Sequence, residues 1–340
     1  MQLEEIGFYT LSDERARTTS EQSRLMRCEL ILTDICNFNC PYCRGPKHER
    51  EVFMPFEQAR TLVNRWARQG LFAIRFSGGE PTMYPRLDDL VALAAKRGIE
   101  HIAVSTNGSA TLDRYRRLID LGVNDFSISL DSYEGEGAIR MSGGVDCFDR
   151  VTSNIRELSK LTYVTVGMVF TRMTAATAKV CVEFAADLGV ADIRVLSAAQ
   201  YDGALEGLVD LPDEFLDRFP ILKYRVENFR AGRNVRGLRE QDSRRCPLVL
   251  DDITVAGDHH FPCIIYLREG GTPIGIANGS TRAARAEWYR GHDTHEDPIC
   301  RGNCLDVCID HNNKAAAHLP VEGWQSLPKQ EGEQCRTQQR

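Results

Sequence analysis

Apolar and polar residues follow two alternating spacings along the first two-thirds of the chain. Short apolar and β-branched runs predict six strands. They lie at Cys28–Ile35, Phe72–Ser77, His101–Ser105, Asp125–Leu130, Tyr163–Thr171 and Asp192–Leu196. Between them, apolar residues recur every three or four positions, which predicts amphipathic helices. The helical segments are Pro55–Gln69, Arg86–Arg97, Asp113–Leu121, Phe148–Leu161 and Ala175–Leu188.

This alternation predicts an α/β fold with a parallel sheet. The predicted helices are often followed by a glycine, as at Gly70, Gly98 and Gly122, where a left-handed C-cap costs little. Six strand–helix units fit either an incomplete barrel or an open, doubly wound sheet. The periodicity alone does not separate these two architectures.

The last third breaks the alternation. A short helix is predicted over Leu211–Leu222, and apolar segments at 248–255 and 261–267 predict a hairpin around Gly257. The predicted division is a 1–27 N-terminal extension, a 28–198 barrel, a 199–245 linker with a helical segment, a 246–330 small Cys-rich α+β domain and a 331–340 tail.

The linker is rich in arginine. The arginines are Arg225, Arg230, Arg233, Arg236, Arg239, Arg244 and Arg245. The favoured interpretation is a solvated surface with ion pairs to Glu227 and Glu240. If these arginines instead lined a pocket, its substrate would be anionic.

Composition narrows the function class. The 340 residues are 42% hydrophobic and 26% charged, with a net charge of −6, which is ordinary for a globular protein. Nothing indicates a nucleic-acid surface, and the mild acidity is compatible with a cationic substrate. No run reaches the length of a membrane span, and the N-terminus lacks a signal-peptide pattern. We therefore expect a cytoplasmic protein without nucleic-acid or membrane partners.

The twelve cysteines indicate metal binding, since clustered thiols in a reducing compartment seldom form disulfides. Cys36, Cys40 and Cys43 have the spacing Cys-x3-Cys-x2-Cys. A [4Fe–4S] cluster takes one thiolate at each iron, so three thiols leave one iron open to a small molecule. The alternative is a zinc site, for which His48 is a poorly placed fourth ligand.

This spacing resembles the signature of the radical S-adenosylmethionine (radical SAM) superfamily. The resemblance implies a partial (β/α)6 TIM barrel, with a [4Fe–4S] cluster on Cys36, Cys40 and Cys43. It also implies that S-adenosylmethionine binds the open iron and is cleaved to a 5′-deoxyadenosyl radical. The implied partner is a one-electron reductant of the flavodoxin or ferredoxin type.

In parallel barrels the chemistry lies at the C-terminal ends of the strands. Ser77-Gly78-Gly79-Glu80 follows the second strand and resembles the family's GGE motif, which holds the methionine amino group. A tight turn is the alternative interpretation. Tyr42 is expected to cover the cluster and approach the adenine. The expected S-adenosylmethionine contacts are Tyr42, Gly78, Gly79, Glu80, Ser105, Asn107, Ser129 and Asp131.

The later cysteines resemble the SPASM/Twitch extension of some radical SAM enzymes. Five thiols suffice for one auxiliary [4Fe–4S] cluster and leave one over. In one partition Cys246 and Cys263 both bind iron, and one of the last three cysteines is free. In the partition we adopt, Cys246 is free, and the ligands are Cys263, Cys300, Cys304 and Cys308. A zinc knuckle is the alternative.

The size and the spare thiol resemble radical SAM enzymes of aminoglycoside biosynthesis, the neomycin C type epimerases among them. The resemblance implies that the radical removes a hydrogen from an aminosugar carbon and that Cys246 returns one to the other face. A dehydrogenase of an amino-cyclitol, a peptide-maturing enzyme and a non-catalytic scaffold are the alternatives. A cationic aminoglycoside could be held by acidic residues that otherwise provide plain surface charge. These are Asp251, Asp252, Asp306 and Asp310.

Overall fold

A computed structural model describes residues 13–44, 53–198 and 203–319. The six strands agree with the sequence pattern to within two residues at either end. They are β1 (Arg27–Thr33), β2 (Ala73–Gly78), β3 (His101–Thr106), β4 (Asp125–Ser129), β5 (Tyr163–Phe170) and β6 (Asp192–Ser197). The start of the predicted N-terminal extension and the predicted tail lie outside the described residues.

Seven helices accompany these strands in the described residues up to 198. They are α1 (Asp13–Thr18), α2 (Phe56–Arg68), α3 (Leu87–Lys96), α4 (Leu112–Asp120), α5 (Gly135–Ser142), α6 (Phe148–Leu158) and α7 (Ala178–Asp187). Five of them match the predicted segments. Helix α7 begins three residues late because a 3-10 turn occupies Ala175–Thr177. Helices α1 and α5 are short and were not predicted.

The strand order decides between the two architectures. The strands run β6-β5-β4-β3-β2-β1, and every pair among them is parallel. A doubly wound sheet reverses its strand order at a switch point. No reversal occurs between β1 and β6, so the predicted partial (β/α)6 barrel is confirmed.

The two faces of this sheet differ in chemistry. Successive side chains of a strand point to opposite faces, and Cys28, Leu30 and Leu32 of β1 belong to the core shared with the helices. The alternate positions are polar. They include Glu29, Arg75, Ser77, Ser105, Ser127 and Arg194. The inner face of the barrel therefore suits a polar ligand.

The described chain after the linker, residues 246–319, adds strands to the same sheet. We call it the second part. These are β7 (Asp252–Ala256), which is parallel to β1, and the antiparallel strands β8 (His259–Phe261) and β9 (Gly275–Ile276). The predicted hairpin is therefore confirmed in a shorter form. Because β7 continues the barrel sheet, the predicted boundary at residue 246 does not coincide with a break in it. The domain boundaries stay predictions.

The remaining helices surround this extension. They are α8 (Gly203–Glu206), α9 (Asp213–Leu216), α10 (Pro220–Arg230), α11 (Leu248–Asp251), α12 (Ile264–Arg268), α13 (Thr281–Gly291), α14 (Pro298–Asn303) and α15 (Asp306–Ala316). The single helix predicted over Leu211–Leu222 is wrong. Pro220 occupies the first turn of α10, where its missing N–H costs nothing, and this separates α10 from α9.

Three of the linker arginines form ion pairs with aspartates. Arg225 pairs with Asp306, and Arg233 lies 2.9 Å from the Asp242 carboxylate. Arg244 lies 2.8 Å from Asp293. The structure shows these carboxylates, rather than Glu227 and Glu240, as their partners. Most of these residues therefore tie the linker to the second part.

Acid should weaken this second part. His260 is fully buried on β8, and burial, aided by the positive charge of Arg285, lowers its pKa to about 4. Below about pH 6.5, His260 therefore binds a proton in the unfolded state but stays neutral in the folded state. We expect the free energy of unfolding to fall by about 2 kcal/mol between pH 6.5 and 5, at about 1.4 kcal/mol per pH unit. Urea titrations across this range measure it.

The matched variants are His260→Gln and His259→Gln. His259 is the exposed neighbour on the same strand. The first variant should make the acid limb of the stability profile shallower, since the buried His311, whose pKa is also lowered to about 4, still contributes, and the second should leave the limb unchanged. Equal profiles for both variants would contradict this assignment.

Candidate active site and a second cysteine cavity

A cavity of about 290 Å³ opens at the C-terminal ends of the barrel strands. We call it the main cavity. It brings the cysteine loop after β1 together with the ends of β2, β3 and β4. The predicted site residues on its wall are Cys36, Cys40, Cys43, Tyr42, Gly78, Gly79, Ser105, Asn107, Ser129 and Asp131. The structure therefore gathers the separate sequence motifs around one space.

Gly78 and Gly79 lie directly on the backbone that leads into the cysteine loop. A Cβ atom on Gly78 would lie 2.2 Å from the Thr33 carbonyl oxygen, and one on Gly79 would lie 2.2 Å from that of Ile35. The Gly79 amide donates to Thr33 O at 2.7 Å. Only glycine permits this approach, so the motif fixes the start of the cysteine loop.

The Glu80 carboxylate is engaged within the protein. Its Oε1 accepts hydrogen bonds from the Thr82 amide, the Thr82 hydroxyl and the Thr106 hydroxyl at 3.0, 2.7 and 2.8 Å. Its Oε2 accepts from the Asn107 amide at 2.7 Å. Burial raises its pKa, and these donors oppose the shift. The carboxylate therefore fixes the end of β3, and its contact with S-adenosylmethionine stays a prediction.

A ring of amides joins the cysteine loop to the end of β3. Asn107 Nδ2 donates to Asn37 Oδ1 at 2.8 Å, and Asn37 Nδ2 donates to Ser109 Oγ at 2.9 Å. Ser109 Oγ donates back to Asn107 Oδ1 at 2.7 Å. The Phe38 amide points at Cys36 Sγ at 3.4 Å. Such donors favour a thiolate, the form that binds iron.

Helix α5 supports the cysteine loop from the other side. The Asn39 amide donates to Ser142 O at 2.8 Å. Gly143, with φ +80°, caps this helix, and a Cβ there would lie 2.1 Å from Asn39 O. The sequence analysis missed this helix. The adjacent glycines Gly143 and Gly144 were the available signal, because a C-cap often needs a positive φ.

Tyr42 and Asp131 are already partners. The Tyr42 hydroxyl donates to the Asp131 carboxylate, and the Val169 amide donates to Asp131 Oδ1 at 2.6 Å. Burial raises the pKa of Asp131 to about 6. The pair joins the cysteine loop to β4 and β5 and closes one side of the main cavity.

The sequence profile of the Radical SAM superfamily matches residues 30–184, which span β1 to α7. This part of the chain is a radical SAM superfamily domain. Such a domain implies a [4Fe–4S] cluster and S-adenosylmethionine. The residues fit both groups, since three thiols and a polar cavity face one another at the strand ends.

Named relatives match only part of the chain. A GTP 3′,8-cyclase of Aeromonas hydrophila is 32% identical over 120 residues, which are 33% of this chain and 35% of that protein. A probable GTP 3′,8-cyclase of Metallosphaera sedula is 28% identical over 171 residues, 49% of this chain and 54% of that protein. The matches thus span about a third to a half of these relatives.

Solved structures show the same fold over more of the chain. The protein anSMEcpe with bound AdoMet has a TM-score of 0.63 at 16% identity, over 86% of this chain and 94% of that one. Streptococcus suis SuiB bound to precursor peptide SuiA has a TM-score of 0.57 at 14% identity, over 86% of this chain and 69% of that one.

Among the described residues, no helix is long and apolar enough to cross a membrane.

Beyond the radical SAM domain, five thiols line a second cavity. They are Cys246, Cys263, Cys300, Cys304 and Cys308. Burial raises the pKa of each thiol, that of Cys263 to about 12. A bound metal reverses this preference, because a coordinating thiol loses its proton. The thiols fit an auxiliary [4Fe–4S] cluster, which takes four of them.

The hydrogen bonds around these thiols bear on which four of the five bind iron. Asn312 Nδ2 donates to Cys246 Sγ at 3.4 Å, and the Tyr266 amide donates to Cys263 Sγ at 3.4 Å. Both contacts favour a thiolate. A neutral thiol sulfur can also accept such a bond, so these contacts do not distinguish the two partitions, and a free Cys246 stays a prediction.

The two cavities share a wall. Ile265 of α12 lines both of them. None of the five later thiols is among the described residues on the main cavity. The auxiliary cluster site is therefore adjacent to the substrate space but separate from it.

Several residues of the main cavity had no sequence signal. They are Arg44, Cys147, Arg194, Arg236, Arg268 and Glu269. Arg236 belongs to the linker arginines, so the pocket interpretation of that stretch holds for one of its seven members. The others reach the cavity only through the folding of distant segments.

Proposed function

We propose that this protein is a radical SAM enzyme that removes a hydrogen atom from a C–H bond of a small polar substrate. The observation that carries the proposal is the main cavity itself, which unites the three thiols with the polar strand ends. When bound, the cluster and S-adenosylmethionine supply a 5′-deoxyadenosyl radical there. The walls belong partly to the second part of the chain, so substrate contacts would extend beyond the barrel.

The protein's own residues hold and orient the ligands. Cys36, Cys40 and Cys43 would hold the cluster, and the Tyr42–Asp131 pair keeps the loop in place beside it. Ser129 ends β4 with an exposed side chain, and among the described residues its hydroxyl has no hydrogen-bond partner. That hydroxyl is available to a ribose or carboxylate oxygen.

Epimerisation is the reaction we propose. Five thiols surround a cavity whose cluster takes four, which leaves one S–H as a hydrogen-atom donor. Cys246 is the proposed donor, and this role requires the reacting substrate carbon to lie at the wall that Ile265 forms between the two cavities. The S–H bond breaks and a new C–H bond forms on the opposite face of the substrate carbon. One electron from the external reductant and one proton then restore the thiol.

Dehydrogenation is the second candidate. It is favoured by the separation of the five thiols from the main cavity by Ile265. In that reaction the substrate radical loses a proton and an electron, and four of the five thiols would hold an auxiliary cluster that would supply the electron acceptor. The product is lighter than the substrate by two hydrogens.

The aminoglycoside substrate stays a prediction, because none of the described residues expected to hold it lies on the main cavity. The acidic residues that were expected to hold it have other partners. Asp251, Asp252 and Asp306 are buried and pair with Arg15, Arg27 and Arg225, and Asp310 accepts from Tyr224. None of these carboxylates lines the main cavity among its described residues.

The reaction class is measured with the reconstituted enzyme in D2O. An aminoglycoside such as neomycin C, a reductant and S-adenosylmethionine are supplied. Epimerisation should give an isomer with one solvent-derived deuterium and about one 5′-deoxyadenosine per turnover. Mass spectrometry that finds a product lighter by two hydrogens would establish dehydrogenation instead.

Cys246→Ala tests the donor. The variant should still form 5′-deoxyadenosine and keep its auxiliary iron, while the inverted product falls below about one per cent of the wild-type amount. Cys181→Ala is the matched control, since Cys181 is a buried thiol of α7 that lines neither cavity. Loss of about four iron atoms per chain from the Cys246 variant would make it a cluster ligand.

A further inference from the structure

The charged residues on the main cavity are mostly arginines. They are Arg44, Arg194, Arg236 and Arg268, against Asp131 and Glu269. Arg44 pairs with Glu269, and these two charges cancel. Asp131 is held by the Tyr42 hydroxyl and the Val169 amide. The cavity therefore presents Arg194 and Arg268, which pair with no carboxylate of the described residues, together with Arg236, whose Nη1 donates to Asn303 O at 3.4 Å, and a single, already bonded carboxyl group.

Arg194 lies on the inner face of the barrel. Its side chain extends from β6 across Gly167, where an added Cβ would lie 3.5 Å from Nη2, and Nη2 donates to Ser127 Oγ at 3.0 Å. Within the described residues, no carboxylate lies in ion-pair range, and its buried Nε has no hydrogen-bond partner. Among the described residues Arg194 is thus a cation at the cavity with no directly paired carboxylate, and Glu29 is the acidic residue that acts on it from a longer distance.

The two other arginines inside this region are neutralised. Arg75 Nη2 lies 3.1 Å from Asp125 Oδ2, and Arg225 pairs with Asp306. Burial and the nearby arginines lower the pKa of Arg194 to about 10, so it stays charged at neutral pH. An unpaired buried charge costs stability. Of Arg75, Arg194 and Arg225, only Arg194 carries this destabilisation.

We infer that the main cavity binds its substrate through an anionic oxygen group, a phosphate or a carboxylate. Arg194 is the principal contact, and Arg236 of the linker and Arg268 of the second part contribute. A planar guanidinium matches the paired oxygens of either group. The inference rests on the proposed function, in which this cavity holds the substrate, but it takes that substrate to be anionic rather than a cationic aminoglycoside.

The positions of the three arginines separate this site from the S-adenosylmethionine machinery. All three lie beyond residue 184, where the radical SAM profile ends. Arg268 belongs to α12, which lies between the two cysteine cavities and carries Ile265. The chain beyond the profile match therefore does more than carry a cluster, because its arginines, from β6, the linker and α12, select the charge of the substrate.

Anion binding is measured by calorimetry on the reconstituted enzyme loaded with S-adenosylmethionine. The probes are inorganic pyrophosphate and citrate, which represent phosphate and carboxylate. Arg194→Gln should weaken the preferred probe by about tenfold to a hundredfold, the range for a charged hydrogen bond. Arg268→Gln should weaken it about threefold to tenfold, since this exposed side chain is better screened. Arg60→Gln, an exposed change on α2, is the control and should match the wild type.

The affinity for S-adenosylmethionine and the yield of 5′-deoxyadenosine are measured in the same samples. Arg194→Lys retains the charge and should lie between the wild type and Arg194→Gln, which separates a binding effect from a folding defect. The inference is wrong if neither probe binds, or if Arg194→Gln weakens S-adenosylmethionine more than the anion. Absent 5′-deoxyadenosine with intact anion binding would remove the proposed function and leave the anion site.

Discussion

Cys40→Ala should abolish the cleavage of S-adenosylmethionine while the auxiliary cluster keeps its iron. Cys40 lies on the main cavity, and its partners Cys36 and Cys43 cannot hold a cluster at three corners without it. We expect 5′-deoxyadenosine to fall by at least about a thousandfold, the scale seen when one member of a catalytic unit is removed. Iron should fall from about eight to about four atoms per chain.

The complementary variant is Cys263→Ala, whose thiol lines the second cavity. It should lose the other four or so iron atoms and still cleave S-adenosylmethionine. Together the two variants show whether the cavities hold independent clusters. Iron loss from both sites in either variant would contradict the separation of the cavities at Ile265. Zinc in place of iron at the second site would establish the zinc-knuckle alternative.

The barrel could be predicted because its signal is local. An apolar run needs only its own residues to indicate a strand, and a glycine after a helix marks its end. The sheet position of β7 could not be predicted in this way. Its pairing with β1 joins residues more than two hundred positions apart, Arg27 with Asp252 among them. The run at 248–255 therefore indicated a hairpin strand but not its parallel neighbour.

The residues of the candidate site show the same difference between local and long-range signals. Cys36 and Gly79 belong to short motifs, and their predicted places around one cavity agree with the structure. Arg194 has no motif, and its role depends on which residues face it across the barrel. Asp306 illustrates the reverse error, since an acidic residue near the cysteines suggested a substrate contact. In the fold it neutralises Arg225 instead.

Glu80 shows how a motif can conceal a second role. The resemblance implied a ligand contact, and the structure shows four hydrogen bonds from Thr82, Thr106 and Asn107. The same motif therefore places the strand ends on which the ligand contacts depend. Gly78 and Gly79 do so as well, through backbone contacts that no side-chain pattern reveals.

Gly79→Ala should disrupt the cysteine loop. The new Cβ would lie 2.2 Å from Ile35 O and 2.8 Å from Asp34 O, both of them backbone atoms. The chain must then move away, which breaks the hydrogen bonds from Gly79 N to Thr33 O and from Glu80 N to Ile35 O. Because Ile35 directly precedes Cys36, the first iron ligand moves with it. We expect a loss of about 1–3 kcal/mol in unfolding free energy and at least a roughly tenfold drop in 5′-deoxyadenosine yield.

Gly291→Ala is the matched control. Gly291 ends α13 with no atom within 4 Å of an added Cβ, so this variant should keep wild-type stability and yield. Chemical denaturation, iron content and 5′-deoxyadenosine yield are measured for both. If Gly79→Ala retained full iron and full yield, the glycine pair would not support the cysteine loop. If Gly79→Ala kept a normal iron content but lost its 5′-deoxyadenosine yield, the motif would act on S-adenosylmethionine rather than on the cluster.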